Sequence, residues 1–202
     1  MNKSRKLRTV DLTYVSIFVA LMAIGANITS WLPFMQIGGV PITLQTFFCV
    51  LAGAVLGSRL GALAMTVYAL LGLAGAPVFA KFGGGLATIV SPTFGFILSF
   101  ILAAYVTGKI IETKTTVPFF FVAGVAGMVV NYFVGTNLMY VAYKFYAAAP
   151  EGFTYSMAWL WMMLPLPKDI ILSLCAAGLA LRLRRVLFKE KTGLSNHTKL
   201  AG

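Results

Sequence analysis

Six stretches of the chain are almost wholly apolar, and their lengths define the predicted elements. They run approximately over 12–32, 42–57, 60–76, 91–110, 117–142 and 167–187. A helix that crosses a bilayer needs about 20 such residues, so each stretch is expected to be a transmembrane helix. The second and third are short and share the tight turn Gly57-Ser58-Arg59, and the fifth is long enough to span with a tilt. Two of the gaps, PFMQIGGVP at 33–41 and PVFAKFGGGLATIVS at 77–91, are too apolar for solvated loops. Irregular backbone at membrane depth persists only where protein covers it or where it lines a cavity. Both gaps are therefore expected to build a pocket with the fifth and sixth spans. Segment 151–166 carries Phe153, Tyr155, Trp159 and Trp161, which suits either an interfacial aromatic belt or a lid.

Small residues punctuate the first half. Gly53, Gly57 and Gly61 recur at intervals of four, as do Ser16 and Ala20, with Ala23 and Ala26 following at three. Such spacing lets helix backbones approach closely. In spans two and three this reads as internal packing. On span one, Ser16, Ala20 and Ala23 offer a face to another membrane subunit. No internal repeat of the secondary-transporter kind is evident.

Composition sets the class. Hydrophobic residues make up 59% and charged residues 10% of 202, against roughly 45–50% and 25% in ordinary globular chains. A polytopic membrane protein follows, seated in the cell membrane. The net charge of +11 is not a nucleic-acid footprint, because the basic residues cluster at the chain ends and in short gaps. With six spans and a cytoplasmic N-terminus, thirteen of the sixteen basic residues fall inside. Lys81 and Lys144 fall in outer loops and Lys168 near a helix end. The positive-inside bias thus supports an all-α bundle with both termini cytoplasmic. It forms one transmembrane domain over 1–202, with a basic N-terminus at 1–11 and a cytoplasmic tail at 188–202. MNKSRKLR leads into a span rather than a cleavable signal. Cys49 and Cys175 lie in apolar runs and read as packing residues without a disulfide.

The usual reactive motifs are missing. The one histidine, His197, is in the tail, and no HExxH, CxxC, GxxxxGK[ST] or GxGxxG appears. No catalytic set, metal site, cofactor or ATPase motif is expected. What remains is a sparse polar set toward the outer half: Thr43, Gln45, Tyr68, Asn131, Tyr132, Thr136, Asn137, Lys168 and Asp169. A few placed polar groups in an apolar cavity are what a small-molecule site needs, although Asn and Thr also serve as interhelical hydrogen-bonding groups. Pro167 suits a first helical turn, which puts Asp169 near the positive end of the dipole. Lys168 falls about 100° round the helix, so the two need not pair. One reading has Lys168 reaching for the headgroups. In the other, the pair meets a polar ligand, because intramembrane charge is expected to be functional.

At these residues the chain resembles the BioY family. The likeness lies in VPITLQT (40–46), GALA (61–64) and YALLGLAGAPVFA (68–80), with SPTFGF (91–96), Gly135-Thr136 and PKD (167–169) following in the family's order. It covers roughly residues 12–187. Two motifs depart from the family pattern: SPTFGF stands for the commoner GPTGGY, and in the family's PGDxxK, Lys168 replaces the glycine and Leu172 the lysine. The resemblance implies a six-helix S-component that takes up biotin from outside. Its partners would be a transmembrane T-subunit, docking on Ser16, Ala20 and Ala23, and two ATP-binding-cassette ATPase subunits, in addition to the lipid bilayer. The candidate substrate residues are Thr43, Gln45, Tyr68, Phe79, Lys81, Asn131, Tyr132, Lys168 and Asp169. The resemblance carries the aspartate role over to Asp169, while the family's lysine role does not map directly onto Lys168. An S-component for another vitamin, a membrane enzyme and a structural membrane protein remain as alternatives.

Overall fold

The computed structural model describes residues 7–31, 36–37, 40–41 and 43–193. The long helices are α1 (Thr9–Asn27), α2 (Gln45–Leu56), α3 (Ser58–Leu73), α4 (Phe94–Thr113), α5 (Val117–Phe145) and α7 (Leu166–Gly193). Each covers one of the six apolar runs, with ends displaced by a few residues, as helix boundaries usually are. Between α5 and α7 lies the nine-residue α6 (Tyr155–Met163). Among the described residues, three helices, α1, α4 and α5, are long and apolar enough to cross a membrane on their own measure. α2 and α3 are shorter, at 12 and 16 residues. Most of the segment at 33–41 lies outside the described residues, as do 1–6 and 194–202. What is described there is a minimal antiparallel hairpin, with β1 (Gln36–Ile37) paired to β2 (Val40–Pro41). The connection after α3 contains 3-10 turns at Ala80–Phe82 and Leu86–Val90.

Local chemistry explains the helix ends. Asp11 accepts from the Arg8 backbone N–H and pairs with its guanidinium at 2.9 Å, closing the first turn of α1. Thr154 Oγ1 accepts the Met157 N–H at the start of α6. Pro118 sits in the first turn of α5, where its missing N–H does no harm. Between α2 and α3 the chain reverses at Gly57, whose φ of 86° favours glycine. The Glu112 carboxylate then accepts the Ser58 N–H at 2.7 Å and the Ser58 hydroxyl at 2.8 Å, which ties this turn to the end of α4.

The small residues of α2 and α3 act as expected within the bundle. Gly53 packs on the Ala104 carbonyl and Thr107 of α4, and a Cβ at Gly61 would lie 2.9 Å from the Gly53 Cα. α1 to α5 and α7 share one buried cluster that includes Met22, Cys49, Val50, Met65, Phe100 and Ile111. Cys49 is a packing residue, but Cys175 is exposed on α7, so a place in an apolar run was not enough to bury it.

The alternating helix directions sort the charges. At one end Ser58 meets Glu112, Lys109 lies 3.9 Å from Glu112, and the Arg184 guanidinium lies over the Phe120 ring. The starts of α2, α4 and α7, the latter half of α5 and the 77–93 connection gather at the other end, where a cavity opens.

Candidate functional site

The cavity has a volume of about 610 Å3, within the roughly 300–1,000 Å3 typical of small-molecule sites. Eight of the nine expected substrate residues line it: Thr43, Gln45, Phe79, Lys81, Asn131, Tyr132, Lys168 and Asp169. They are spread from position 43 to position 169, and the irregular 77–93 connection supplies much of the wall, whereas no described residue of 33–41 lines it. Tyr68 is placed differently from the expectation. It is fully buried one layer behind the wall, with its ring edge-on to Phe79 at a centroid distance of 5.5 Å.

Tyr68 nonetheless fixes what the wall presents. Its hydroxyl donates to the Val78 carbonyl at 3.0 Å and therefore accepts from Gln45 Nε2, also at 3.0 Å. A hydroxyl has one proton, so the Gln45 amide is held with its nitrogen toward Tyr68 and its oxygen left for the cavity. Similar counting applies at Asn131. Ser99 Oγ lies 2.8 Å from the Phe96 carbonyl and 2.6 Å from Asn131 Oδ1, with a single proton for both. The serine proton serves one of these acceptors at a time, and with Oδ1 set against Ser99 it is Nδ2 that forms the other end of the Asn131 amide.

Lys168 and Asp169 do pair, contrary to the expectation from helix geometry. Lys168 Nζ lies 2.8 Å from Asp169 Oδ1. The angle about Lys168 on the helix is as expected, but its flexible stem folds back. The same ammonium donates to the Thr43 carbonyl at 2.7 Å, which bridges α7 to the start of α2. The lysine therefore does not reach for the headgroups. The Tyr132 hydroxyl donates to Asp169 Oδ2 at 2.6 Å. Although Oδ1 is within ion-pair range of Lys168, it is not aligned with any hydrogen-bond donor. We take it as charge-compensated, because a 2.8 Å separation fixes Coulomb attraction regardless of angle. Asp169 lines the cavity but is only 5% exposed, and Oδ1 is itself a buried atom, so the carboxylate sits within the wall beside Lys168 rather than open to the cavity at Oδ1.

Other residues lacked a sequence signal. Phe96, Phe100, Tyr143 and Met162 line the apolar part of the wall, but in the sequence none of them stands out from the other apolar and aromatic residues around it. Tyr143 also joins Phe153 and Trp161 in an aromatic cluster, with centroid distances of 4.8 and 6.0 Å. α6 thus contributes Met162 to the cavity and packs its aromatics beside it. Thr136 is buried without a hydrogen-bond partner for Oγ1 and does not line the cavity. Asn137 instead accepts from the Tyr155 hydroxyl at 3.2 Å. Lys81 is exposed at the cavity wall. Ser16 and Ala20 are exposed on α1 and Ala23 is half-buried.

A helical membrane protein with a ligand-sized, partly polar cavity at one end is the class that fold and site define. The BioY family model matches residues 1–189, and the chain belongs to the BioY family. It is 42% identical over 197 residues to the BioYB protein of Bacillus subtilis, covering 96% of this chain and 98% of that one. It is also 37% identical over 177 residues to the biotin transporter BioY of Thermotoga maritima, covering 87% and 96%. Among solved structures it is similar to the crystal structure at 2.1 Å of the S-component for biotin from an ECF-type ABC transporter. That match has a TM-score of 0.74, covers 92% of this chain and 95% of that one, and is 21% identical. At that identity the likeness speaks for the fold.

Proposed function

We propose that this chain is the substrate-capture subunit of an ECF-type vitamin transporter and that it takes up biotin from outside the cell. The observation that carries the reading is the polar pattern of the cavity. Gln45 Oε1 is an acceptor set in an apolar wall, with the Asn131 side-chain amide, the Asp169 carboxylate and the Lys168 ammonium among the other lining groups. A cyclic urea presents two N–H donors and one carbonyl acceptor. The carboxylate and amide oxygens suit the donors and the ammonium suits the carbonyl. Phe79, Phe96 and Phe100 suit fused apolar rings, and Lys81, exposed at the wall, suits a carboxylate tail. Thr43 and Tyr132 complete the contacts, and Tyr68 acts through Gln45.

All six long helices span the membrane in this reading, with both termini cytoplasmic, and 1–202 is one transmembrane domain. α2 and α3 are short, and the 40–44 segment and the 77–93 connection complete their crossings. The basic end faces the cytoplasm, as the positive-inside bias requires, so the cavity opens outward. The sequence holds no P-loop motif, and uptake is driven by two ATPase subunits coupled through a T-subunit that docks on Ser16, Ala20 and Ala23.

Calorimetric titration of the purified chain with biotin, thiamin and riboflavin tests the reading. Saturable binding of biotin alone is expected. Saturation by another vitamin reassigns the substrate, and no binding of any of the three removes the capture role.

A further inference from the structure

We propose that Asn27 is a positioning residue of the ligand cavity and the joint through which α1 moves its wall. The first part rests on geometry, and the second also rests on the docking face assigned to α1 above. Asn27 is the last residue of α1 and is 5% exposed. Its Nδ2 donates to the Ala23 carbonyl at 3.0 Å and to the Val78 carbonyl at 3.3 Å, and its Oδ1 accepts the Phe82 N–H at 2.6 Å. One amide thus grips both ends of 78–82. Between those ends lie Phe79, Ala80 and Lys81, three consecutive wall residues.

This stretch needs holding. Lys81 and Phe82 have φ of 61° and 55°, in the left-handed region that side chains disfavour. Such conformations persist only where the surroundings determine them, and the bond to Phe82 N–H acts at the second of these residues. The same turn of α1 fastens the opposite wall. The Gly25 carbonyl accepts the Leu44 N–H at 2.9 Å, between Thr43 and Gln45. Gly25 also lets α2 come this close, because a Cβ there would lie 2.6 Å from the Phe48 ring.

One helical turn therefore anchors the 78–82 stretch and the Thr43–Gln45 edge of the wall, and it directly follows Ala20 and Ala23 on the same helix. The bond from Asn27 to the Ala23 carbonyl makes the link continuous. A subunit that displaces α1 must carry these walls with it or break their hydrogen bonds. In either case docking is felt at the ligand.

The substitution Asn27→Leu keeps the branched heavy-atom shape and removes all three bonds. Hydrogen–deuterium exchange of the purified variant in detergent should show the Phe82 amide exchanging faster, while amides of α4 and α5 keep their protection. Loss of one or two net hydrogen bonds should speed biotin dissociation roughly tenfold and leave association nearly unchanged. Asn27→Ala gives the same readouts should the leucine variant fail to fold. Unchanged Phe82 exchange overturns the positioning role. In the complex with T-subunit and ATPases, docking should alter Phe82 exchange in the wild type but not in an equally well assembled Asn27→Leu variant. An equal change in both overturns the role as a joint. A wild-type chain that neither binds biotin nor assembles refutes the transport reading and, with it, the joint, while the exchange of Phe82 in the free chain still decides the positioning role.

Discussion

Lys168 and Asp169 share one electrostatic arrangement. The carboxylate is buried, and its charge is balanced by Lys168 and by the Tyr132 hydroxyl. Removing one partner of a buried pair costs more than removing both, because it leaves an uncompensated charge. Lys168→Met should lower stability by about 3 kcal/mol, the low end for such pairs, since the lysine side chain is 28% exposed. The double variant Lys168→Met/Asp169→Asn should recover much of that loss in thermal unfolding. A double variant no more stable than Lys168→Met would mean the pair is not coupled. Binding separates the two residues in another way. Charge-assisted bonds contribute about 1.5–3 kcal/mol, so Asp169→Asn should weaken biotin binding roughly ten- to a hundredfold, measured by calorimetry on folded protein. Unchanged affinity would leave Asp169 a role in the helix start alone. Both residues were legible in the sequence because charge in an apolar run stands out. Their pairing was not, since neighbours on a helix point apart and only the length of the lysine closes the gap. Asn27 was less legible still. It lies inside the apolar run 12–32 without a motif, and its partners lie 51 and 55 residues away.

At the scale of elements, apolar length located all six long helices, because a helix in hydrocarbon must satisfy its own backbone groups. The same rule marked the 77–91 connection as a cavity wall. It could not supply the 3-10 turns or the left-handed pair, which depend on hydrogen bonds to α1 and α3. The Phe79 N–H to Gly83 carbonyl bond and the Gly85 N–H to Gly72 carbonyl bond are two of the loop's own fastenings. α1 is the element whose surface remains to be explained. Its inward side packs Val15, Phe18, Val19 and Met22, while Ser16 and Ala20 stay exposed. Small side chains on an exposed helix face permit close backbone approach by a partner helix. Ala20→Trp should therefore abolish co-purification with the T-subunit and ATPases and leave biotin binding by the isolated chain intact. Full assembly of that variant would move the docking face elsewhere. Loss of biotin binding in the isolated chain would show that the face belongs to the bundle itself.

Across the whole molecule, most of the basic residues lie at the end away from the cavity, and that polarity underlies the proposed orientation. The basic residues seen in sequence as scattered through short gaps converge because successive helices alternate. Arg59, Lys109, Lys114 and Arg182 thereby share an end with the first turn of α1. The cavity lies at the other end, so the side reached by ligand follows from the side kept by the basic residues. Cysteine labelling in intact cells tests both together. Cys49 is buried, and Cys175 is exposed on the bundle surface, so Cys175→Ser supplies a quiet background. Ala87 is the position to probe at the cavity: it is exposed and lines the wall. Its neighbour Gly84 is a poor choice, because a Cβ there would collide with the Ala76 carbonyl. Lys114, exposed in the turn between α4 and α5, serves for the basic end. A membrane-impermeant maleimide should modify Ala87→Cys from outside and spare Lys114→Cys until the cells are opened. Biotin should slow the reaction at Ala87→Cys alone. Modification of Lys114→Cys in sealed cells would reverse the orientation, and equal rates at Ala87→Cys with and without biotin would remove the ligand from this cavity.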